Sequence, residues 1–186
     1  MITRRDFVKG VAGTAVVGAL IEPDKGESLV ASCGLYCGAC PMYLATQSKD
    51  ESRLKSMFRQ FSSSKMNWKM EDLLCDGCRG TGQLATFCRK CAIRDSAATK
   101  TKTKLCSDCS EYACTRITAF NNDGMLHHAE VLANLRQLKS VGLKEWAKQE
   151  EEKWACPSCR GRMGWYDAKC PKCGTARSSK LFALKA

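Results

Sequence analysis

Cysteine pairs dominate this sequence, and their spacing is the strongest indication of its chemistry. The 186-residue chain has 14 cysteines, and twelve of them form six pairs with the spacing Cys-x2-Cys. In such a turn both sulfurs point to one side, and backbone amides stay free to donate hydrogen bonds to the thiolates. Disulfide frameworks rarely have so regular a spacing. We therefore predict that all the cysteines are metal ligands: Cys33, Cys37, Cys40, Cys75, Cys78, Cys88, Cys91, Cys106, Cys109, Cys114, Cys156, Cys159, Cys170 and Cys173.

The last two pairs, at 156–159 and 170–173, are the most specific part of this pattern. Ten residues separate them, a proline stiffens each turn, and Gly174 permits a positive φ after the last cysteine. Residues 163–166 include Met, Trp and Tyr, and we expect them to form a short β-hairpin. Rubredoxin-like modules hold iron with the same turns, so iron is the alternative metal. We predict a zinc ribbon with one tetrahedral site formed by Cys156, Cys159, Cys170 and Cys173.

The ten cysteines from Cys33 to Cys114 most simply form two four-ligand sites with two cysteines left over, and their spacing does not pair them. The first three also match the cysteine spacing of radical S-adenosylmethionine enzymes. However, Ala39 stands where those enzymes usually have an aromatic residue, and the chain is too short for their partial barrel. The sequence contains no glycine-rich phosphate loop, nucleophile elbow or carboxylate pair. No residue pattern therefore supports an enzymatic activity, and the question of an activity stays open. We expect His127 and His128 to lie at the surface or in helix packing.

The composition is that of a soluble globular protein, with 44% hydrophobic and 26% charged residues. It excludes a disordered chain and a polytopic membrane protein, and the length allows one ordinary domain with a small appended module. The net charge of +11 would by itself favour nucleic-acid binding. Twelve thiolates around three divalent ions would lower that charge to about +5. Much of the basic excess therefore balances metal sites, and nucleic acid is not an expected partner.

The first residues predict export from the cytoplasm. Arg4 and Arg5 are followed by Phe7 and Lys9, and then by an uncharged run from Gly10 to Ile21. This order is typical of a twin-arginine signal, a receptor-read address for proteins that fold before export. The run gives about 18 Å of helix against a bilayer core of about 30 Å, so no stable membrane span is expected unless the signal stays uncleaved. We expect the twin-arginine translocation machinery as a partner and a periplasmic or other extracytoplasmic location, where cysteines must be disulfides or metal ligands.

Helices are expected to position the cysteine turns. A helix should start at Pro41, and large apolar residues recur at i, i+3, i+4 and i+7 from Leu54 to Phe61, which predicts an amphipathic helix. From Cys75 to Cys114 large apolar residues are sparse, so the metals are expected to form the core there.

Two more helices are predicted before the last cysteine pairs. The first has Val131, Leu135 and Leu138 on one face and should stop at Gly142. The second should follow directly, with Trp146 on its apolar stripe. We expect both helices to link two modules.

From Ser32 onward the chain resembles a bacterial and archaeal cysteine-rich family known only as a domain of unknown function. The matching motifs are Cys-Gly-Leu-Tyr-Cys-Gly-Ala-Cys-Pro at 33–41, Cys-x-Gly-Cys at 75–78, and the segments 88–94, 106–114 and 134–156. The resemblance spans roughly residues 32–175 and implies a metal-binding, zinc-binding protein with no established reaction. One departure lies in the first ribbon turn, where Arg160 replaces a common glycine, and we expect Gly161 to take its role.

Together these patterns predict a small metal-stabilised α+β protein, with a helix-rich cysteine cluster domain followed by a C-terminal zinc ribbon. The favoured function is an exported zinc-binding protein with a structural or interaction role and a protein partner still to be identified. The alternatives are an iron–sulfur or rubredoxin-like electron carrier and a nucleic-acid-binding zinc protein, which the export signal disfavours. The expected segments are a signal and spacer at 1–31, a cysteine-rich domain at 32–122, linking helices at 123–153, the ribbon at 154–176 and a tail at 177–186.

Overall fold

The computed structural model describes residues 23–62 and 68–177, and the regular secondary structure in them is helical. None of the helices in these residues is long and apolar enough to cross a membrane. Single turns of 3-10 helix lie at Cys37–Ala39, Met70–Leu73, Cys106–Asp108 and His128–Glu130. The α-helices of the described residues are α1 (Pro23–Ser28), α2 (Pro41–Gln47), α3 (Glu51–Ser62), α4 (Thr86–Arg89), α5 (Ala92–Lys100), α6 (Thr115–Asn121), α7 (Val131–Val141) and α8 (Leu143–Lys153).

The expected β component is reduced to isolated bridges. In the described ranges no strand forms, and three single antiparallel bridges join Val30 to Tyr36, Ala155 to Arg162 and Lys169 to Ala176. The hairpin predicted at 163–166 is a turn instead, in which the Gly164 N–H donates to the Asp167 carboxylate at 2.6 Å. Backbone N–H and C=O groups on either side of this turn form hydrogen bonds within the two cysteine loops. They therefore do not form a continuous ladder with a partner strand. The α+β prediction is therefore correct only in its helical part.

One large apolar cluster, which we call the main core, joins the first cysteines to α7 and α8. Val30, Tyr36, Leu135 and Trp146 are buried in it, and the Tyr36 ring meets the Trp146 ring edge-on at 6.5 Å. The helix α8 packs against α1, and α7 packs against the turn that carries Cys106. We call the described residues before the C-terminal cysteine turns, 23–62 and 68–153, the body of the protein. Both helices pack within this body, whereas the sequence predicted that they link two modules.

Gly34 allows α7 to approach the opening cysteine segment. Its φ is +82°, and a Cβ atom at this position would lie 2.8 Å from Leu135 Cγ. The Asn134 side-chain amide also donates to the Gly34 carbonyl at 3.0 Å. Only glycine fits both the left-handed backbone and the close contact. The opening segment is therefore held in place by a helix that lies about 100 residues later in the chain.

The predicted amphipathic helix is confirmed as α3, and it covers a second core formed by Met42, Ala45, Leu54, Leu73, Cys75 and Ala85. The Phe61 ring, at the end of α3, stacks on Trp68 at 5.0 Å. The start of α2 at Pro41 and the stop of α7 before Gly142, whose φ is +84°, also agree with the sequence.

The segment from Cys75 to Cys114 has more apolar packing than its composition suggested. Ala85, Ile93, Ala97 and Leu105 are all buried, and three of them belong to the two cores. Ala85 before α4, Ile93 and Ala97 in α5 and Leu105 after it fill this interior, so no run of large side chains is needed. Apolar side chains therefore contribute to the interior of this segment beside its cysteines.

The C-terminal cysteine turns form a knuckle module, residues 154–177, that docks onto the rest of the protein. The backbone N–H of Trp165 donates to the carbonyl of Ala39 at 2.9 Å, and Ala39 is the residue directly before Cys40. Arg53 of α3 pairs with Asp167 at 2.8 Å, and both side chains are largely buried. The last module therefore packs against the first cysteines.

Candidate metal centre

The four cysteines of the knuckle module come together at one point. Their sulfur atoms all lie within 4.8 Å of one another. Cys156 Sγ is 3.6 Å from Cys173 Sγ, and Cys159 Sγ is 3.6 Å from Cys170 Sγ. A tetrahedral ion with metal–sulfur bonds of about 2.3 Å requires sulfur–sulfur edges of about 3.8 Å. The spacing therefore suits a single tetrahedral ion, and this cluster can hold a metal.

The two cysteine turns of the site have the same backbone geometry. In each turn the N–H of the first cysteine donates to the carbonyl five residues later, at 2.8 Å from Cys156 and 2.9 Å from Cys170. The carbonyl of each first cysteine accepts from the amide four residues later, at 2.9 Å in both turns. The isolated bridges at 155–162 and 169–176 close the two loops. Two copies of one turn thus face each other across the sulfurs.

A left-handed residue ends each of the two turns. Gly174 has a φ of +76°, and Arg160, at the equivalent position, has a φ of +59°. The expectation that Gly161 replaces the missing glycine is therefore wrong, because Arg160 itself adopts the left-handed conformation. Gly161 serves a different purpose, since a Cβ atom there would lie 3.3 Å from Cys159 Sγ.

This equivalence predicts opposite effects for two substitutions. Gly174→Ala should lower the free energy of unfolding of the metal-loaded module by about 1 kcal/mol, because nothing lies within 4 Å of the new Cβ and only the left-handed backbone opposes it. Arg160→Gly should raise this free energy of unfolding by a smaller amount, because the relief of the left-handed backbone is partly offset by the entropy that glycine gains in the unfolded chain. Thermal unfolding of the two variants measures both effects. A Gly174→Ala variant as stable as the parent would show that the left-handed turn is not required.

Hydrogen bonds favour the thiolate form at two of the four sulfurs, those of Cys156 and Cys173, whereas the pKa of Cys159 is raised to about 11. The hydroxyl and the backbone amide of Thr175 lower the pKa of Cys173 to about 6. The pKa of Cys156 is lowered mainly by the amide N–H of Cys159. Metal-bound thiolates typically accept such bonds from outer groups. Thr175 was not predicted as a site residue, although its hydroxyl lies only two residues after a predicted ligand in the sequence.

Burial within the site is uneven. Cys156 and Cys170 are buried beside Met163 in a small apolar cluster of their own, whereas Cys173 is exposed. The site is thus accessible from one side only, and it shares no apolar cluster with the other ten cysteines.

The other ten cysteines lie in the body of the protein, and none of them forms a disulfide. Cys33, Cys37, Cys75 and Cys78 are buried, and the rest are partly buried. Among the described residues, no further set of three ligand groups has all its atoms within 4.8 Å. The structure therefore brings together only the four knuckle-module cysteines at the spacing of a single ion.

Of the two histidines, His127 packs against the knuckle module, and His128 packs against Phe120 and His127. The His127 ring stacks on Trp165 at 4.3 Å, and its Nδ1 contacts the Tyr166 hydroxyl. His128 Nδ1 lies 2.8 Å from the Asp123 carboxylate. This agrees with the packing role expected from the sequence. Burial, the largest cause, lowers the pKa of His127 to about 3, so its ring stays neutral.

Comparison with known proteins finds a similarity to one protein family, and that family has no known function. The family described as "Protein of unknown function (DUF3795)" matches residues 29–119, which hold the ten cysteines of the body and end before α7. No curated protein and no solved structure matches the chain significantly. The match is shorter than the resemblance to residue 175 seen in the sequence, and it leaves out the knuckle module. From residue 29 to residue 119, the chain is thus similar to a family whose function is unknown.

Proposed function

We propose that this protein is an exported zinc-binding protein with a structural or interaction role. The observation that carries the proposal is the set of four knuckle-module sulfurs within 4.8 Å of one another. Four thiolates at tetrahedral spacing are a common structural zinc site, the coordination of zinc ribbons.

A structural role is favoured by the closed coordination of this site. Catalytic zinc keeps one position for water or substrate, whereas four protein sulfurs fill all positions of a tetrahedral ion. The turn between the two cysteine pairs contacts the body, through Trp165 to Ala39 and through Asp167 to Arg53. A metal at this site would therefore set the shape of the surface that docks on the body, which is a structural use of the ion.

Metal analysis of a ligand variant tests the proposal. Replacing Cys159 with Ser should remove one zinc equivalent per chain and leave the metal bound by the body, because the two regions share no apolar cluster. Ser158→Ala is the matched control, since Ser158 is exposed in the same turn and its backbone amide is unchanged. Unchanged metal content in the Cys159→Ser variant would contradict the site. Iron with visible absorption in place of colourless zinc would support the rubredoxin-like alternative.

Export is the second part of the proposal, and it rests on the sequence. Arg4, Arg5 and Phe7 lie outside the described residues. The first predicted ligand, Cys33, comes after the signal, so signal recognition and metal binding use separate parts of the chain. A protein exported folded keeps its thiolates protected by metal, which suits a cysteine-rich chain outside the cytoplasm.

A further inference from the structure

The knuckle module consists of two loops whose backbone hydrogen bonds are internal. In the first loop, residues 154–163, the Met163 N–H donates to the Trp154 carbonyl at 2.9 Å. In the second loop, residues 168–177, the Arg177 N–H donates to the Ala168 carbonyl at 2.9 Å. Within the described residues of this module, no backbone hydrogen bond joins the first loop to the second. Each loop is therefore closed on its own, and contacts other than those of the backbone must hold the two together.

Side chains make the contacts between the two loops. The two short sulfur–sulfur distances of the site, 3.6 Å each, both cross from one loop to the other. Met163 packs with Cys156 and Cys170, and the Arg177 guanidinium lies over the Trp154 ring, 4.9 Å from its centre. Thiolates at this spacing repel one another, whereas one metal ion bonds to all four. A metal in this site would therefore be the strongest link between the loops.

The turn between the two loops, residues 164–167, contacts the body, and we call it the connecting turn. Its Trp165 N–H donates to the Ala39 carbonyl at 2.9 Å, and its Asp167 pairs with Arg53 of α3 at 2.8 Å. The Asp167 carboxylate also accepts a hydrogen bond from the first N–H of the turn at 2.6 Å. Because each end of the connecting turn continues into a cysteine loop, its position depends on how the two loops are arranged.

The first loop adds a contact beside the same part of the body. Arg162 pairs with Glu151 of α8 at 2.9 Å, and both side chains are partly buried. The Arg162 guanidinium also lies beside the Tyr43 hydroxyl of α2. Ala39 and Tyr43 stand before and after Cys40 in the sequence. Contacts from the knuckle module thus reach both sides of this partly buried cysteine.

His127 contacts the aromatic side chains of the connecting turn. Its ring stacks on Trp165 at 4.3 Å, and its Nδ1 contacts the Tyr166 hydroxyl. From its own segment, His128 lies against it at 4.1 Å, and Asp123 is the nearby acidic group. Burial, the largest cause, keeps the pKa of His127 at about 3. The protonation of this ring therefore reports whether the connecting turn is in place.

We propose that the knuckle module is a metal-dependent cover over the start of α2. With the metal bound, the two loops hold the connecting turn against Ala39 and His127, and after loss of the metal the turn leaves both. This inference rests on the proposed metal site and adds a regulatory role to it. The state of that one site then decides whether the segment around Cys40, a predicted ligand in the body, is covered.

Titration of the His127 ring in the full chain tests the proposal, because the chain has only two histidines. In the zinc-loaded wild-type protein, the ring should stay neutral in proton NMR spectra between about pH 5 and about pH 8. In Cys159→Ser it should titrate near its ordinary pKa of 6.5, because the connecting turn no longer covers it. Ser158→Ala should behave like the wild type, and the spectrum of His127→Gln assigns the signal.

Three results would overturn the proposal. A neutral His127 ring in a Cys159→Ser chain that has lost its zinc would show that the module stays docked without metal, although the metal site itself would stand. A large loss of helical circular dichroism in that variant would show that the metal maintains the body and not only the cover. A wild-type chain without zinc in the knuckle module would overturn both this proposal and the proposed function.

Linkage provides a second measurement on a chain that keeps all its cysteines. If the metal favours docking, docking must favour metal binding by the same free energy. Arg53→Gln removes the ion pair with Asp167, so the chelator concentration that empties half of the knuckle sites should fall about fivefold. Alkylation of the exposed Cys173, followed by peptide mass spectrometry, measures how many sites are empty.

Lys55→Gln is the matched control for this variant. Lys55 lies on the same helix as Arg53, and its ion pair is with Glu51 of that helix. The control therefore loses the same charge without losing a contact to the knuckle module, and it should release zinc like the wild type. An Arg53→Gln chain that holds zinc as tightly as Lys55→Gln would overturn the coupling between metal binding and docking.

Discussion

Removing all metal under reducing conditions should unfold the cysteine-bearing body of this protein. The helices α4, α5 and α6 have four, nine and seven residues, and isolated helices shorter than about 12 residues are marginal in water. We expect a large loss of the circular-dichroism signal at 222 nm and the appearance of accessible thiols. Refilling the sites with metal should restore both signals.

The expected size of this effect follows from comparing two free energies. A structural zinc site contributes about 10–16 kcal/mol in zinc-finger peptides at neutral pH. Net stabilities of whole domains are about 5–15 kcal/mol. The apolar packing of the main core offsets part of the loss, since Val30, Leu135 and Trp146 are fully buried there. The loss of even one centre is nevertheless comparable to the total stability.

The matched control for this experiment is a chelator treatment that leaves the metal in place, confirmed by elemental analysis of the same sample. Its spectrum should equal that of the untreated protein. An unchanged spectrum after verified removal of every metal would show that apolar packing alone maintains the fold.

Changing Arg4 and Arg5 to Lys should retain the protein in the cytoplasm with its metal bound. Lysine keeps both positive charges, so a loss of export would report recognition of the arginines themselves rather than charge. Cell fractionation measures the location, and metal analysis of the retained protein measures loading. The predicted effect is nearly complete, because the signal is an address and not an anchor.

Lys9→Arg is the control for this pair, since it alters a basic residue of the same segment without touching the two arginines. It should be exported normally. Continued export of the double variant would exclude the twin-arginine route, and a metal-free retained pool would exclude loading before export.

Several helices could be predicted from the sequence because their apolar residues are large and periodic. This holds for α3, with Leu54 and Phe61, and for α7, with Leu135 and Leu138. The short helices α4 to α6 were not predicted, because each buries at most two residues and so gives no clear apolar period. The hairpin at 163–166 was wrongly predicted, because a run of aromatic residues there fills a docking turn instead.

The candidate site shows the same limit. The knuckle-module cysteines are predictable because all four lie in two regular turns, and regular turns fix where the sulfurs point. The positions of the other ten depend on contacts such as the hydrogen bond from the Cys106 backbone N–H to the Ser32 carbonyl, which joins distant parts of the chain. Spacing along the sequence carries no information about such contacts.

The contact between Trp165 and Ala39 also constrains the order in which the molecule can be completed during synthesis. Ala39 leaves the ribosome early, yet its carbonyl finds its partner only after residue 165 has been made. Tyr36 likewise waits for Trp146. Domains with mainly local contacts can fold while they are still being translated. Here an early segment packs on a late one, so the contact between residues 39 and 165 can form only after the knuckle module has been translated.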